Sequence, residues 1–245
     1  STGAQPDWYI GFLEGSLRLM PAWETTVAGR TVGWNVLLPA VVLPALLFAV
    51  LYIYPFFERW VTGDTGEHHL CDRPRDRPVR TGFGVAALTF YAVLLVAGGN
   101  DIIALAFGLS LNALTWTLRI LLITAPVAAF VITKRFCLAL QERDRARLVE
   151  GEETGEVRQS VEGGYGAAHR PLPRERQYVL LTRELPRPLP ARPDGRVARL
   201  RTALSTWYYR DRVEMPPAGE AEEIERAGQA GEIEQAGSRP SEPER

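Results

Sequence analysis

Near the start of the chain, Pro6-Asp7-Trp8-Tyr9 sets a carboxylate and a phenol beside an indole, just ahead of a long uncharged stretch. At a membrane boundary such groups can work on a lipid-soluble ligand: the rings wall off an apolar space, the phenol offers a hydrogen bond and the carboxylate takes a proton. The same four residues also suit an aromatic belt beside a helix N-cap. What the rest of the chain builds around them decides between the two.

A second acid, Asp101, follows Gly98-Gly99-Asn100 between two apolar runs. It can relay a proton or cap a helix. The other groups with ligand chemistry are sparse. His68 and His69 lie in a basic connection and read as solvated loop histidines, with a metal or proton relay as the alternative. His169 lies in the tail. Cys71 and Cys137 show no CxxC pairing and read as reduced thiols, and no metal site is expected.

The elements that must carry these residues divide the chain. Of its 245 residues 46% are hydrophobic and the net charge is −1, an average that conceals an apolar first part and a tail rich in Arg, Glu, Pro and Gly. Nothing in that balance calls for nucleic acid as a partner. Ser1 does not begin a signal peptide, because the order of charged, apolar and small residues is missing.

Residues 8–20 alternate apolar side chains with Glu14, Ser16 and Arg18, which suits a short helix lying at the interface, closed by Pro21. Trp23 and Glu24 then open a polar connection to Arg30. Residues 31–57 carry no charge, enough helix for about 40 Å against a hydrocarbon core of about 30 Å. Pro39, Pro44 and Pro55 predict kinks within it. Two further spans are expected at about 81–100 and 111–135. Arg119, inside the third, either snorkels to the boundary or faces the protein interior.

The basic residues orient these spans. Arg59, Arg73, Arg75, Arg77 and Arg80 follow span one, and Lys134, Arg135, Arg143, Arg145 and Arg147 follow span three. Both groups belong on the cytoplasmic side of the plasma membrane. The N-terminus and Asp101 then share the outer face. The fold expected is all-α, with three kinked membrane helices, a short outer interfacial helix and a partly disordered cytoplasmic tail. Its parts are an outer segment (1–30), a membrane domain (31–140), a cytoplasmic extension (141–216) and an acidic end (217–245).

PDWY followed by GFLEGSLRLMPAWE, then TGDTGEHHLCDRPRDRPVRTG, NDIIALAFGLSLNALTWTLRI and ITKRFCLALQERDR, resembles the C-terminal half of cytochrome b of the quinol:cytochrome c reductase (cytochrome bc) complex. The likeness is to its actinobacterial branch, and it covers about residues 1 to 170. It implies that Pro6, Asp7, Trp8 and Tyr9 lie at the quinol-oxidising site on the outer face. Asp7 stands where the wider family has Glu, a shorter carboxylate for the same work. The branch implies menaquinol as substrate. It also implies as partners the N-terminal haem-binding half of cytochrome b, the Rieske iron-sulfur subunit, a cytochrome c subunit and membrane lipid, in a dimeric complex.

The resemblance places the haem b ligands on helices to which nothing here corresponds. No expected span contains histidine. The chain is therefore expected to be a fragment, or to be completed by another polypeptide, and to be inactive alone. A three-helix membrane scaffold without catalysis is the alternative of a different class.

In the tail, Gly151, Gly155, Gly163 and Gly164 predict turns, and the recurrent prolines from 171 to 193 predict an extended linker. Residues 196–212 place Val197, Leu200, Leu204 and Trp207 at helical spacing among arginines. Such a helix suits either an anionic leaflet or a protein neighbour. Beyond Pro216 the composition predicts disorder.

Overall fold

Apolar side chains without turn signals let three segments stay helical for long enough to cross a membrane. The computed structural model describes residues 9–67, 71–159, 163–181, 187–190, 195–214, 216, 220, 223, 224 and 226. It is mostly helical, as expected, and membrane-embedded in character. Helix α1 (Gly11–Leu19) is followed by strands β1 (Glu24–Val27) and β2 (Arg30–Gly33). The first span then runs through α2 (Trp34–Leu37), a π-helical turn (Leu38–Val42) and α3 (Leu43–Thr62). The second is α4 (Pro78–Gly98); after α5 (Asn100–Phe107) the third is α6 (Leu111–Glu150).

The first span departs from α geometry where its prolines require it. Pro39 has no N–H to donate and its ring crowds the preceding turn, and the five-residue π segment from Leu38 absorbs the misfit before Pro44 opens α3. The stretch read as a polar connection folds instead as a hairpin, with Glu24 opposite Gly33 and Val27 opposite Arg30. Its two turn residues, Ala28 and Gly29, both have positive φ, at 52° and 75°, the requirement of a two-residue turn that follows strand twist.

Contacts divide the chain into two units. The first comprises residues 1–135 and 188–208 and includes α8 (Arg196–Tyr209) up to Tyr208. Its core is Leu19, Leu94, Ala97 and Leu118, with Phe12, Phe90 and Leu114 packed around them. Much of the remaining span surface is apolar and exposed: Phe48 is 71% and Tyr52 76% accessible, which suits hydrocarbon or apolar protein rather than water.

The second unit, residues 136–187 and 209–245, takes the end of α6, the hairpin β3 (Glu152–Gln159) and β4 (Tyr165–Arg170), and α7 (Arg174–Leu181). Leu148, Leu172 and Leu180 form its small core, with Ile224 against them. Gly151 turns the chain from α6 into β3 at φ 90°, where a Cβ would strike the Arg170 carbonyl oxygen. Short α7 occupies part of the proline-rich stretch expected to be extended. His169 is exposed on β4.

Candidate functional site

The crossing of α1 over α4 fixes where the turn at Tyr9 meets the fold. Gly11 and Gly15 stand one turn apart on α1, facing Leu94, Leu95 and Gly98 of α4. A Cβ on Gly15 would overlap the Leu94 carbonyl oxygen, and one on Gly98 would sit 2.5 Å from the Gly11 oxygen. Backbones approach this closely only where side chains are absent, the small-residue crossing common between membrane helices. Phe12 adds a ring contact to Tyr91, with centroids 5.2 Å apart.

Arg18 ties the same helix to the next elements. Its Nη2 donates to Glu14 Oε1 at 2.5 Å, one turn back. Its Nη1 donates to Asn100 Oδ1 and lies against Asp101 Oδ1, both at 2.7 Å, at the start of α5. Asn100 is buried and its Nδ2 reaches Thr115 Oγ1 of α6 at 3.5 Å. Asp101 Oδ1 also accepts the Ile102 backbone N–H at 2.9 Å. The hydrogen bond from Arg18, aided by that backbone bond, holds the Asp101 carboxyl below the usual carboxylate range.

Arg119 faces the protein interior, one of its two expected placements. Its Nε donates to the Leu19 carbonyl oxygen at 2.8 Å, and its guanidinium lies 4.8 Å from the Trp116 ring centroid. Leu19 ends α1, so the cation meets an unsatisfied carbonyl at the negative end of the helix dipole. Thus α1, the last turns of α4, α5 and the first turns of α6 gather at one end of the first unit.

Of the motif expected to do chemistry, Tyr9 stands in the turn before α1 and is 57% exposed. Pro6, Asp7 and Trp8 lie outside the described residues, as do His68 and His69. Asp101 is brought through Arg18 to α1, the helix that follows Tyr9. Sequence reasoning passed over Glu14, Arg18 and Asn100, which join the elements there. The i,i+4 spacing of Glu14 and Arg18 was a usable signal; the partnership with Asn100, 82 residues away, had none.

An open cleft of about 520 Å³ lies in the same segment, lined by Ala22, Trp23, Glu24, Thr25, Trp34 and Leu38. Trp34 Nε1 donates to Thr25 Oγ1 at 2.9 Å, holding the hairpin against α2. Neither cysteine forms a disulfide: Cys71 is exposed and Cys137 buried. Among the described residues no group of His, Cys, Asp and Glu is placed to hold a metal ion.

No family model matches the chain. It is 45% identical over 226 residues to the cytochrome bc1 complex cytochrome b subunit of Streptomyces coelicolor, covering 88% of this chain and 41% of that protein. The subunit of Streptomyces lividans is 40% identical over 84% of the chain and 40% of that protein. That of Mycobacterium leprae is 46% identical over 176 residues, 70% of the chain and 31% of that protein. The chain thus spans about two fifths of the length of the Streptomyces relatives. Identity at this level over most of the chain makes it a relative of part of the actinobacterial cytochrome bc1 complex cytochrome b subunit.

Proposed function

We propose that this chain serves as part of the cytochrome b subunit of a respiratory quinol:cytochrome c oxidoreductase and supplies the edge of its outer-face quinol-oxidising site. The observation that carries the reading is that Tyr9, last of Pro6-Asp7-Trp8-Tyr9, stands directly before α1, a helix packed on α4 through Gly11 and Gly15 and held at its C-terminal end by Arg18 and Arg119. A motif that must meet a reacting atom gains from such a mount, because orientation is fixed before the ligand arrives.

Quinol oxidation releases two protons and two electrons. A quinol in an apolar pocket cannot lose its proton to water it does not touch, so a base must stand at the pocket edge. Asp7 is assigned that role, with Tyr9 offering a hydrogen bond to the quinol oxygen and Pro6 and Trp8 shaping the wall. Of the two roles open to Asp101, capping α5 and passing the proton onward, the ion pair with Arg18 favours capping.

The chain's own residues do not fit haem b. No His lies in Trp34–Thr62, Pro78–Gly98 or Leu111–Glu150. The electrons therefore pass to centres held elsewhere, assigned here to the N-terminal haem-binding half of cytochrome b and the Rieske iron-sulfur subunit, with a cytochrome c subunit beyond, in a dimeric complex. Menaquinol is the substrate proposed. The arginine asymmetry supports an N-terminus outside the plasma membrane, a cytoplasmic tail and proton release to the outer face.

Asp7→Asn in the assembled complex tests the assignment. It should keep assembly and haem content while slowing quinol oxidation about 10²-fold, the low end for loss of a general base. Asp7→Glu should retain much of the rate. A wild-type rate and pH profile in Asp7→Asn would leave Asp7 a capping residue and favour a scaffold role for this segment.

A further inference from the structure

Helix α8, far along the tail, is held at the ends of the membrane helices and belongs to their unit. Arg201 Nε donates to the Trp60 carbonyl oxygen at 2.6 Å, one of the last four carbonyls of α3, which have no partner within the helix. The Tyr208 hydroxyl donates to Glu58 Oε1 at 2.8 Å. Burial, and then the Glu58 charge, push this phenol above its ordinary value, so it remains a donor. The Trp207 ring sits 6.0 Å from that of Phe83, in the second turn of α4. Ser205, fully buried, accepts the Leu189 backbone N–H at 3.0 Å.

At 100° per residue the contacts of Arg201, Ser205 and Tyr208 use one stripe, and that of Trp207 belongs to the next. The neighbouring stripe is apolar: Val197 is 68% and Leu200 57% exposed, and Trp207, whose ring meets Phe83 on one side, is still 41% exposed. Arg196 and Arg199 are exposed on a third stripe, about 100° further round. The docking partners set the depth. Glu58 and Trp60 belong to the last turns of one span and Phe83 to the second turn of another, so the apolar stripe lies where headgroups give way to acyl chains. Trp at that level and Arg on the flank are what an in-plane amphipathic helix needs.

We propose that α8 is an in-plane membrane anchor built from the tail. Val197, Leu200 and Trp207 enter the leaflet at which α3 ends and α4 begins, and Arg196 and Arg199 bind the phosphates of anionic phospholipids. The anchor is strapped to the protein by Arg201 and Tyr208, so lipid binding and the closing of α3 share one helix. The inference rests on the membrane spans alone and does not depend on quinol chemistry.

Site-specific quenching tests it in the assembled complex carrying Cys71→Ser, which removes the exposed native thiol of this chain. Val197→Cys, Leu200→Cys and Thr206→Cys are labelled in turn with a fluorophore, and the signal of the complex without an added cysteine is subtracted. Vesicles are of brominated phosphatidylcholine, alone or with an equal part of phosphatidylglycerol. Acyl-chain bromine should quench the labels at 197 and 200 several-fold more than at 206, and aqueous iodide should show the reverse order. Arg196→Gln with Arg199→Gln should weaken bromine quenching at 197 only when phosphatidylglycerol is present. Iodide reaching 197 and 200 as readily as 206 would overturn the proposal. So would protection of 197 and 200 from both quenchers, which would mean that another protein covers the stripe.

Discussion

Arg119 Nε donates to the carbonyl oxygen of Leu19 at 2.8 Å across 100 residues of sequence. A charge that looks misplaced in an apolar span is thereby used to close a different helix. Its guanidinium plane also lies over Trp116, so the cation has an acceptor on one side and a π face on another. The cost of an arginine within a span is offset by these two partners and by the end of the α1 dipole.

Removing that group should be felt in stability. Arg119→Leu leaves the Leu19 carbonyl without its donor and should cost about 1.5–3 kcal/mol, the range for a hydrogen bond to a charged group. Arg119→Lys should fall between, because an ammonium keeps the charge but not the planar fork. Denaturant unfolding in detergent measures both, and a Leu variant as stable as the parent would remove the capping role.

The α1–α4 crossing should tolerate no side chain on Gly15. A Cβ there meets backbone, the Leu94 carbonyl oxygen, which cannot rotate away. Gly15→Ala should therefore cost about 1–3 kcal/mol, as overpacking does, and loosen α1 from its mount. Gly84, in the second turn of α4 with nothing within 4 Å, is the control. Gly84→Ala should stabilise by about 0.5–1 kcal/mol through backbone entropy. Equal effects at the two positions would mean that the close approach does not exist in solution.

The Arg18–Asp101 pair predicts a loss of stability on the acid side. The Arg18 hydrogen bond lowers the folded-state pKa of Asp101 below its unfolded value. Its contribution is then fully present above the unfolded carboxylate pKa of about 3.9 and is lost as pH falls through the lower folded value. Melting temperature in detergent, followed from about pH 6 to about pH 2, should fall less steeply in Asp101→Asn than in the parent. Parallel curves would show that Arg18 does not hold this carboxylate.

How much of this could be read in advance differed by the kind of signal. The spans were legible because length and lack of charge are local properties. The hairpin at 24–33 was missed although Thr25, Thr26, Val27, Thr31 and Val32 flank a two-residue turn, since Ala28 adopting φ 52° is not what its residue type favours. Asp101 was read as one of two separate acids, the other, Asp7, lying outside the described residues. Their common end was inferred from arginine counts, whereas Arg18, which reaches from α1 to Asp101, was read only as a polar residue of an interfacial helix. Local sequence carries no mark of a partner 82 residues away. Docking of the 196–212 helix on protein was one of its two readings, but its partners were not legible for the same reason: Arg201 and Tyr208 meet Trp60 and Glu58 across 141 and 150 residues.

Haem binding gives the last test, because it depends on residues the chain can be counted for. A haem within a helical bundle needs an axial ligand from the protein, usually an imidazole or a sulfur. The three histidines are His68, His69 and His169, and the two methionines are Met20 and Met215, all outside Trp34–Thr62, Pro78–Gly98 and Leu111–Glu150. Cys137 is buried in the part of α6 that follows Lys134 and Arg135, beyond its apolar stretch. The chain purified alone and offered haem should therefore show no stoichiometric b-type reduced-minus-oxidised spectrum. Produced together with a polypeptide of four helices carrying paired histidines, the assembly should show one. A stoichiometric signal from the chain alone that disappears in His68→Ala with His69→Ala would place a haem ligand in this chain and overturn the assignment of the electron acceptors to other polypeptides.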